Sequence, residues 1–323
     1  MGKIVKKCEW GKHLKLTKDE RSELWSKLNG ERYHQFRTPT KGVWQITSSK
    51  KGPHLWIVGA VHGNEAVGAV VISELLELAL SNPFLNCGQL TLVIGNPSAF
   101  LADQRYIDQD LNRAFAEDLD DITQKEIQRK KTLSTLLKLD PPTFVLDLHS
   151  VSRGDHGIIV YPEESQEWAK ILCCLDVHFC YSKAHMAGET LIDAAQRYGA
   201  GVMVVECGHH HSPNTKFIAF AHIQKLFRHF QSAQIDLVEA LPKCVDLITR
   251  YRSKQMIKPN PNFKFILPVE TGTAIDPDVI FAEDDHGQHK VTERMWLMMP
   301  SLEVKPHDQD AGWLCIRELL SRT

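Results

Sequence analysis

The sequence predicts an α/β protein, with a mixed, largely parallel sheet flanked by helices and a smaller β-rich domain at the C-terminus. Two observations carry this expectation. Short apolar runs, His54–Val61 (HLWIVGAV), Gln89–Gly95 (QLTLVIG), Thr143–Leu148 (TFVLDL) and Gly201–Val205 (GVMVV), alternate with longer helical patterns. Near-continuous apolar strands separated by helices belong to sheets covered on both faces. Beyond Pro242 the texture changes to short runs, Phe263–Val269, Val279–Ala282 and Trp296–Met299, divided by Pro, Gly and Asp clusters. Such spacing is that of a small β domain. The chain is therefore divided into a helical lead-in over 1–35, an α/β domain over 36–240 and a β-rich domain over 241–323.

Taken in order, the lead-in is helical and amphipathic, with Leu14, Leu16, Leu24, Trp25 and Leu28 set among polar neighbours. It is read as a cover with no bearing on function. Val43–Thr47 alternates as a strand does, and Ser48–Pro53 is a turn. After the HLWIVGAV run, Ala66–Ser81 places Val67, Val70, Val71, Leu75, Leu78 and Ala79 on one helical face. Pro97 ends the QLTLVIG strand in a loop. Asp121–Leu139 is charged and helical, and Pro141-Pro142 stops it. Gly157–Tyr161 is a further strand, Glu189–Tyr198 a helix, and Thr215–Ala233 the last helix before the change of texture. No repeat or low-complexity segment interrupts this order.

Bulk properties exclude several functions. The formal net charge is -2 over 323 residues, so no overall field draws the chain to nucleic acid or to an anionic membrane. No stretch has the roughly 18 apolar residues of a membrane span, and MGKIVKKCEW lacks the apolar core of a secretory signal. Cys8, Cys87, Cys173, Cys174, Cys180, Cys207, Cys244 and Cys315 form no CxxC pair and no disulfide rhythm. Reduced thiols and a cytoplasmic location are expected.

The chemistry gathers where strands end. Val61-His62-Gly63-Asn64-Glu65 closes the first buried run and opens a helix, so a His and a carboxylate three residues apart can turn toward one point. Taken alone, Glu65 could equally serve the helix N-terminus, with His62 an ordinary turn residue. Asp147-Leu148-His149 closes the third run, with Asp147 on the same strand face as His149 and able to fix its ring. Two His and one Glu form the three-ligand set of a catalytic zinc with a fourth position open. Glu206, after GVMVV, is an acid in apolar surroundings and so a candidate general base. The loop RYIDQDLNR (105–113) brings cations: one Arg to stabilise an oxyanion, and an Arg with Asn to clamp a carboxylate.

In this order the segments VHGNE (61–65), NP (96–97), RYIDQDLNR (105–113), DLH (147–149) and VECG (205–208) resemble the succinylglutamate desuccinylase/aspartoacylase family, a branch of the zinc carboxypeptidase-like fold. The resemblance implies that His62, Glu65 and His149 bind one Zn²⁺ per chain and that Glu206 is the base. It implies that Arg105 polarises the scissile carbonyl and that Asn112 and Arg113 hold the amino-acid carboxylate. Asp110 is implied as a supporting residue. Arg153, in the SRG string, is a candidate for an acyl-side carboxylate. The Arg that aspartoacylases place before the base strand has no clear counterpart: Asp193 stands near the expected place and Arg197 one turn on. N-acetylaspartate is therefore not carried over as the substrate. Of His209-His210-His211, at most one lines the pocket, while Cys207 and His185 are core or rim residues.

The expected activity is hydrolysis of the amide bond of a small N-acyl amino acid, with no nucleic-acid or membrane partner and with a homo-oligomer left open. The alternative is a metallocarboxypeptidase-like peptidase using the same zinc site. A scaffold with a degenerate site would have lost a ligand or the base, and all four residues are present.

Overall fold

Apolar strands and amphipathic helices do alternate through the first two thirds of the chain. The structure is a computed structural model that describes residues 14–116, 123–152, 157–172, 174–185, 188–233, 235–238, 247–301 and 311–321. Arg153, Cys173 and Cys244 lie outside these residues, as does the whole of MGKIVKKCEWGKH with Cys8.

In chain order the helices are α1 (Lys18–Leu28), α2 (Val67–Ser81), α3 (Pro97–Ala102), α4 (Lys125–Leu139), α5 (Gln166–Leu172), α6 (Leu191–Arg197) and α7 (Asn214–His229). The strands begin with β1 (Val43–Thr47), β2 (His54–Gly59), β3 (Gln89–Ile94), β4 (Phe144–Val151), β5 (Ile158–Pro162), β6 (Val177–Tyr181) and β7 (Gly201–His209). They continue with β8 (Leu247–Met256), β9 (Lys264–Phe265), β10 (Thr273–Ile275), β11 (Ala282–Asp284), β12 (Gly287–His289), β13 (Met295–Met298) and β14 (Trp313–Ser321).

The chain divides into two compact units, the described residues of Met1–Ile159, Glu167–Leu175 and Gly188–Cys244 falling in one and those of Val160–Gln166, Asp176–Ala187 and Val245–Thr323 in the other. The second unit thus takes two short segments from within 36–240. In the first unit the strand order is β1-β3-β2-β4-β7. β3, β2, β4 and β7 are parallel, and β1 runs antiparallel at the edge. The parallel strands are buried almost end to end, as their unbroken apolar sequence requires. In the second unit β6-β8-β14-β13-β10 form one order, with β6 parallel to β8, and β12-β11-β9 form a small antiparallel sheet. Phe263, Ile275, Phe281, Ala282, Val291 and Leu297 form a buried core in this unit.

Several expectations change in detail. Pro97 does not end β3 in a loop; it is the first residue of α3, with the Asn96 side chain accepting from the Ala99 N–H. Proline suits that position because the helix leaves its N–H unused. β4 and β7 run past the predicted ends to Val151 and His209, so His149 and Glu206 lie inside strands rather than after them. A bulge between His149 and Val151 lets the pairing continue. β6 and β8 have no counterpart in the apolar pattern. In β8, Arg250 and Arg252 break the apolar run, and both are met by Glu318 of β14.

One close approach positions the site. Gly59 at the end of β2 faces Gly68 in the first turn of α2, and a Cβ on Gly59 would lie 2.4 Å from the Gly68 Cα. α2 therefore starts directly against the strand end, with the VHGNE segment folded between them. Ala60, with φ of 52°, turns the chain out of the strand.

Candidate metal centre

The ligand candidates converge. His62, Glu65 and His149 are all buried, and one donor atom from each lies within 4.8 Å of the others. Glu65 is the hinge of the group: its Oε1 is 2.9 Å from His62 Nδ1 and its Oε2 is 2.9 Å from His149 Nδ1. The Ser150 N–H also donates to Glu65 Oε2 at 3.0 Å. Both imidazoles thus turn Nδ1 toward the same point. Their Nε2 atoms face outward to carboxylates, His62 to Asp110 at 3.1 Å and His149 to Asp147 at 2.9 Å. Carboxylates behind ligating imidazoles fix the ring and raise its basicity.

Glycine at position 63 has a reason other than bending. A Cβ there would lie 2.0 Å from the Ala99 carbonyl carbon in α3, so only glycine lets the loop between the ligands pass.

Glu206 arrives by register. β4 and β7 are parallel neighbours, and His149 pairs with Glu206. Side chains at paired positions share a face, so the acid stands beside His149. It is 6% exposed, and its Oε2 has no hydrogen-bond partner among the described residues. Burial, the largest influence, pushes its carboxyl up to about 7, against the pull of His149. The same burial would raise Glu65, but the His62 and His149 imidazoles outweigh it and hold that carboxyl well below the usual range. His149 shows the reverse: burial would lower it, yet Asp147 and Glu65 raise it well above an ordinary imidazole.

The donor set fits a metal. Two imidazole nitrogens and a carboxylate, with a fourth direction left, are the ligand types of a catalytic zinc.

The RYIDQDLNR loop lies beside this group. Arg105, 41% exposed, pairs with Asp110 at 3.0 Å and brings Nη1 to 3.7 Å from Glu65 Oε1. Asp110 thereby links the cation to His62, and despite burial these neighbours hold its carboxyl well below the usual range. Asn112 is buried, and its Oδ1 accepts from the Leu191 N–H at 3.2 Å. Arg113 donates Nη1 to the Asn112 carbonyl at 2.8 Å.

Asp193 and Arg197 are engaged elsewhere. Asp193 closes a capping box with Thr190 at the start of α6, and Arg197 pairs with Glu189 and donates to the Phe115 carbonyl. Of the three consecutive His, His210 Nδ1 lies 2.8 Å from the Ser150 hydroxyl, while His209 Nδ1 accepts from the His211 N–H. None joins the ligand group. Cys207 is fully buried, and the side chain of His185 lies outside the described residues.

The motifs do not disclose Glu126. It is fully buried, and its carboxylate takes the Asn96 side-chain amide at 2.9 Å and the N–H groups of Ile107 at 2.8 Å and Asp108 at 3.0 Å. It anchors the loop that carries Arg105 and Asp110. A buried Glu in a charged helix gives no sequence signal of that kind.

Comparisons with known proteins bear on the family and the fold. Residues 51–237 match the model of the succinylglutamate desuccinylase/aspartoacylase catalytic domain. A probable aspartoacylase of Parasynechococcus marenigrum is 37% identical over 111 residues, 32% of this chain and 36% of that protein. A succinylglutamate desuccinylase of Pseudomonas aeruginosa is 25% identical over 152 residues, 45% of this chain and 46% of that protein. The chain thus spans about a third to a half of the length of these relatives. Among solved structures, the succinylglutamate desuccinylase of Vibrio cholerae superposes with a TM-score of 0.68 at 17% identity, covering 87% of this chain and 89% of the other. Murine aminoacylase 3 gives 0.61 at 16% identity, covering 85% and 98%. At such identities the likeness is one of fold.

Proposed function

The chain belongs to the succinylglutamate desuccinylase/aspartoacylase family, and from that premise we propose that it hydrolyses the amide bond of a small N-acyl amino acid at a zinc site made by His62, Glu65 and His149. The observation that carries this reading is the convergence of those three side chains, with Glu206 one strand away and unpaired at Oε2. When bound, zinc supplies Lewis-acid polarisation of the amide carbonyl and a lowered pKa for the attacking water.

The remaining work falls to side chains. Glu206 takes the proton of the attacking water and returns it to the leaving amine. A carboxyl raised by burial suits that exchange, because a base works best with a pKa near the operating pH. Arg105, held by Asp110 beside Glu65, offers its guanidinium to the oxygen that gains charge as water adds. Arg113 and the Nδ2 of Asn112 hold the carboxylate of the amino-acid part. Arg153 is retained as the candidate for an acyl-side carboxylate.

The test is amine release from a panel of N-acetyl, N-succinyl and N-formyl amino acids, with short peptides alongside. Turnover of one acyl-amino acid is expected. Turnover of peptides alone would move the assignment to a peptidase.

A further inference from the structure

α1 does more than cover the sheet. Its start is fixed by a capping box in which Thr17 and Glu20 satisfy each other's backbone N–H groups. One turn on, Arg21 points into the protein and is 3% exposed. Its Nη1 donates to the Gly63 carbonyl at 2.6 Å and the Phe100 carbonyl at 3.4 Å, and its Nη2 to the Asn64 carbonyl at 3.3 Å. Asp103 pairs with Nη2 at 2.7 Å, Leu16 accepts from Nε at 3.3 Å, and the guanidinium lies over the Phe100 ring.

Gly63 and Asn64 are the two residues between His62 and Glu65. The Gly63 peptide is held on its other side as well, since its N–H donates to the Arg105 carbonyl at 3.1 Å. The loop joining two ligands is therefore fixed from one direction by the segment carrying Arg105 and from the other by α1. Without the guanidinium, the buried Gly63 carbonyl and the half-buried Asn64 carbonyl would lose this donor, and the loop would have to rotate to reach water. Rotation of those peptides swings His62 and Glu65 apart. A planar fork serves two carbonyls at once, which a lysine ammonium cannot do in the same geometry.

We infer that Arg21 is a positioning residue for the metal centre, holding the His62–Glu65 loop in its ligating conformation from a helix outside the catalytic motifs. The inference rests on the metal reading above.

The test is zinc affinity, by competition with a chromophoric chelator, for the wild type, Arg21→Ala, Arg21→Lys and Leu24→Ala. Leu24 is buried on the same helix and, being apolar, offers the loop carbonyls no donor, so Leu24→Ala reports what a loosened α1 does by itself. Arg21→Ala is expected to weaken zinc binding by about 10- to 100-fold, with Arg21→Lys intermediate and Leu24→Ala close to the wild type at a comparable fall in thermal midpoint. The visible bands of the Co²⁺-loaded Arg21→Lys protein should shift as well, which keeps the inference testable if Arg21→Ala does not fold. Equal zinc affinity in all four proteins with unchanged Co²⁺ bands would overturn it, and so would parallel losses in Arg21→Ala and Leu24→Ala. A wild type that binds no zinc would overturn the metal reading and this inference with it.

Discussion

At the scale of single residues, the site is built in two layers, and each predicts a different loss. In the proposed site Glu206 stands beside the ligands as the base, so Glu206→Ala should retain metal and lose turnover by about 10²- to 10⁴-fold. Metal analysis and initial rates on one preparation check this; near-normal turnover would remove Glu206 as the base. His149→Ala removes a ligand and should lose metal and activity together. Asp147→Asn keeps the ligand but weakens its support, and is expected to reduce metal affinity by about 10- to 100-fold. The convergence of His62, Glu65, His149 and Glu206 is legible in the sequence because each sits in a short contiguous string. Asp147 was legible because it lies two residues from His149 on the same strand. Glu126 and Arg21 were not, because their partners are distant: Glu126 binds backbone 19 residues away, and Arg21 binds carbonyls 42 and 79 residues away. No periodicity encodes a side chain aimed at a remote loop.

At the scale of elements, β2, β3, β4 and β7 bring their C-terminal ends to one place, and the contacts of α2 and α3 set the loop between the ligands. Gly59→Ala would drive a Cβ into α2, so about 1–3 kcal/mol of stability should be lost, measured by denaturant unfolding. α7 carries a pH-sensitive joint. His222 is fully buried, its Nδ1 donates to the Ile218 carbonyl, and its Nε2 accepts from the Cys174 N–H. Burial brings its pKa down from 6.5 to about 4. The unfolded chain therefore binds a proton that the folded one refuses. This contribution is complete above pH 6.5 and is lost as pH falls toward 4, about 3 kcal/mol in all. Unfolding curves across that range should show the loss, and His222→Gln should flatten it. Strand positions were read well because buried parallel strands are continuous apolar runs. Their ends were read short because Ser150, Cys207 and His209 look like loop residues until a neighbouring strand pairs with them. The apolar stripe of the lead-in gives no reason to single out Arg21, so the sequence alone shows only a cover.

At the scale of the whole molecule, the α/β class followed from strand–helix alternation. The membership of the second unit did not, because Val160–Gln166 and Asp176–Ala187 join it from within the central region. Among the described residues, no helix is long and apolar enough to cross a membrane, and Cys87, Cys174, Cys180, Cys207 and Cys315 are free thiols. A metal that binds only the folded chain must stabilise it: zinc at 100 times its dissociation constant should add about 2.7 kcal/mol to unfolding. The most direct test of the central claim is metal content and N-acyl amino acid turnover on one preparation, before chelation, after it, and after zinc is returned. We predict about one zinc per chain, turnover abolished by chelation and restored by zinc. Turnover that persists in metal-free protein, or a chain that takes up no zinc, would contradict the account.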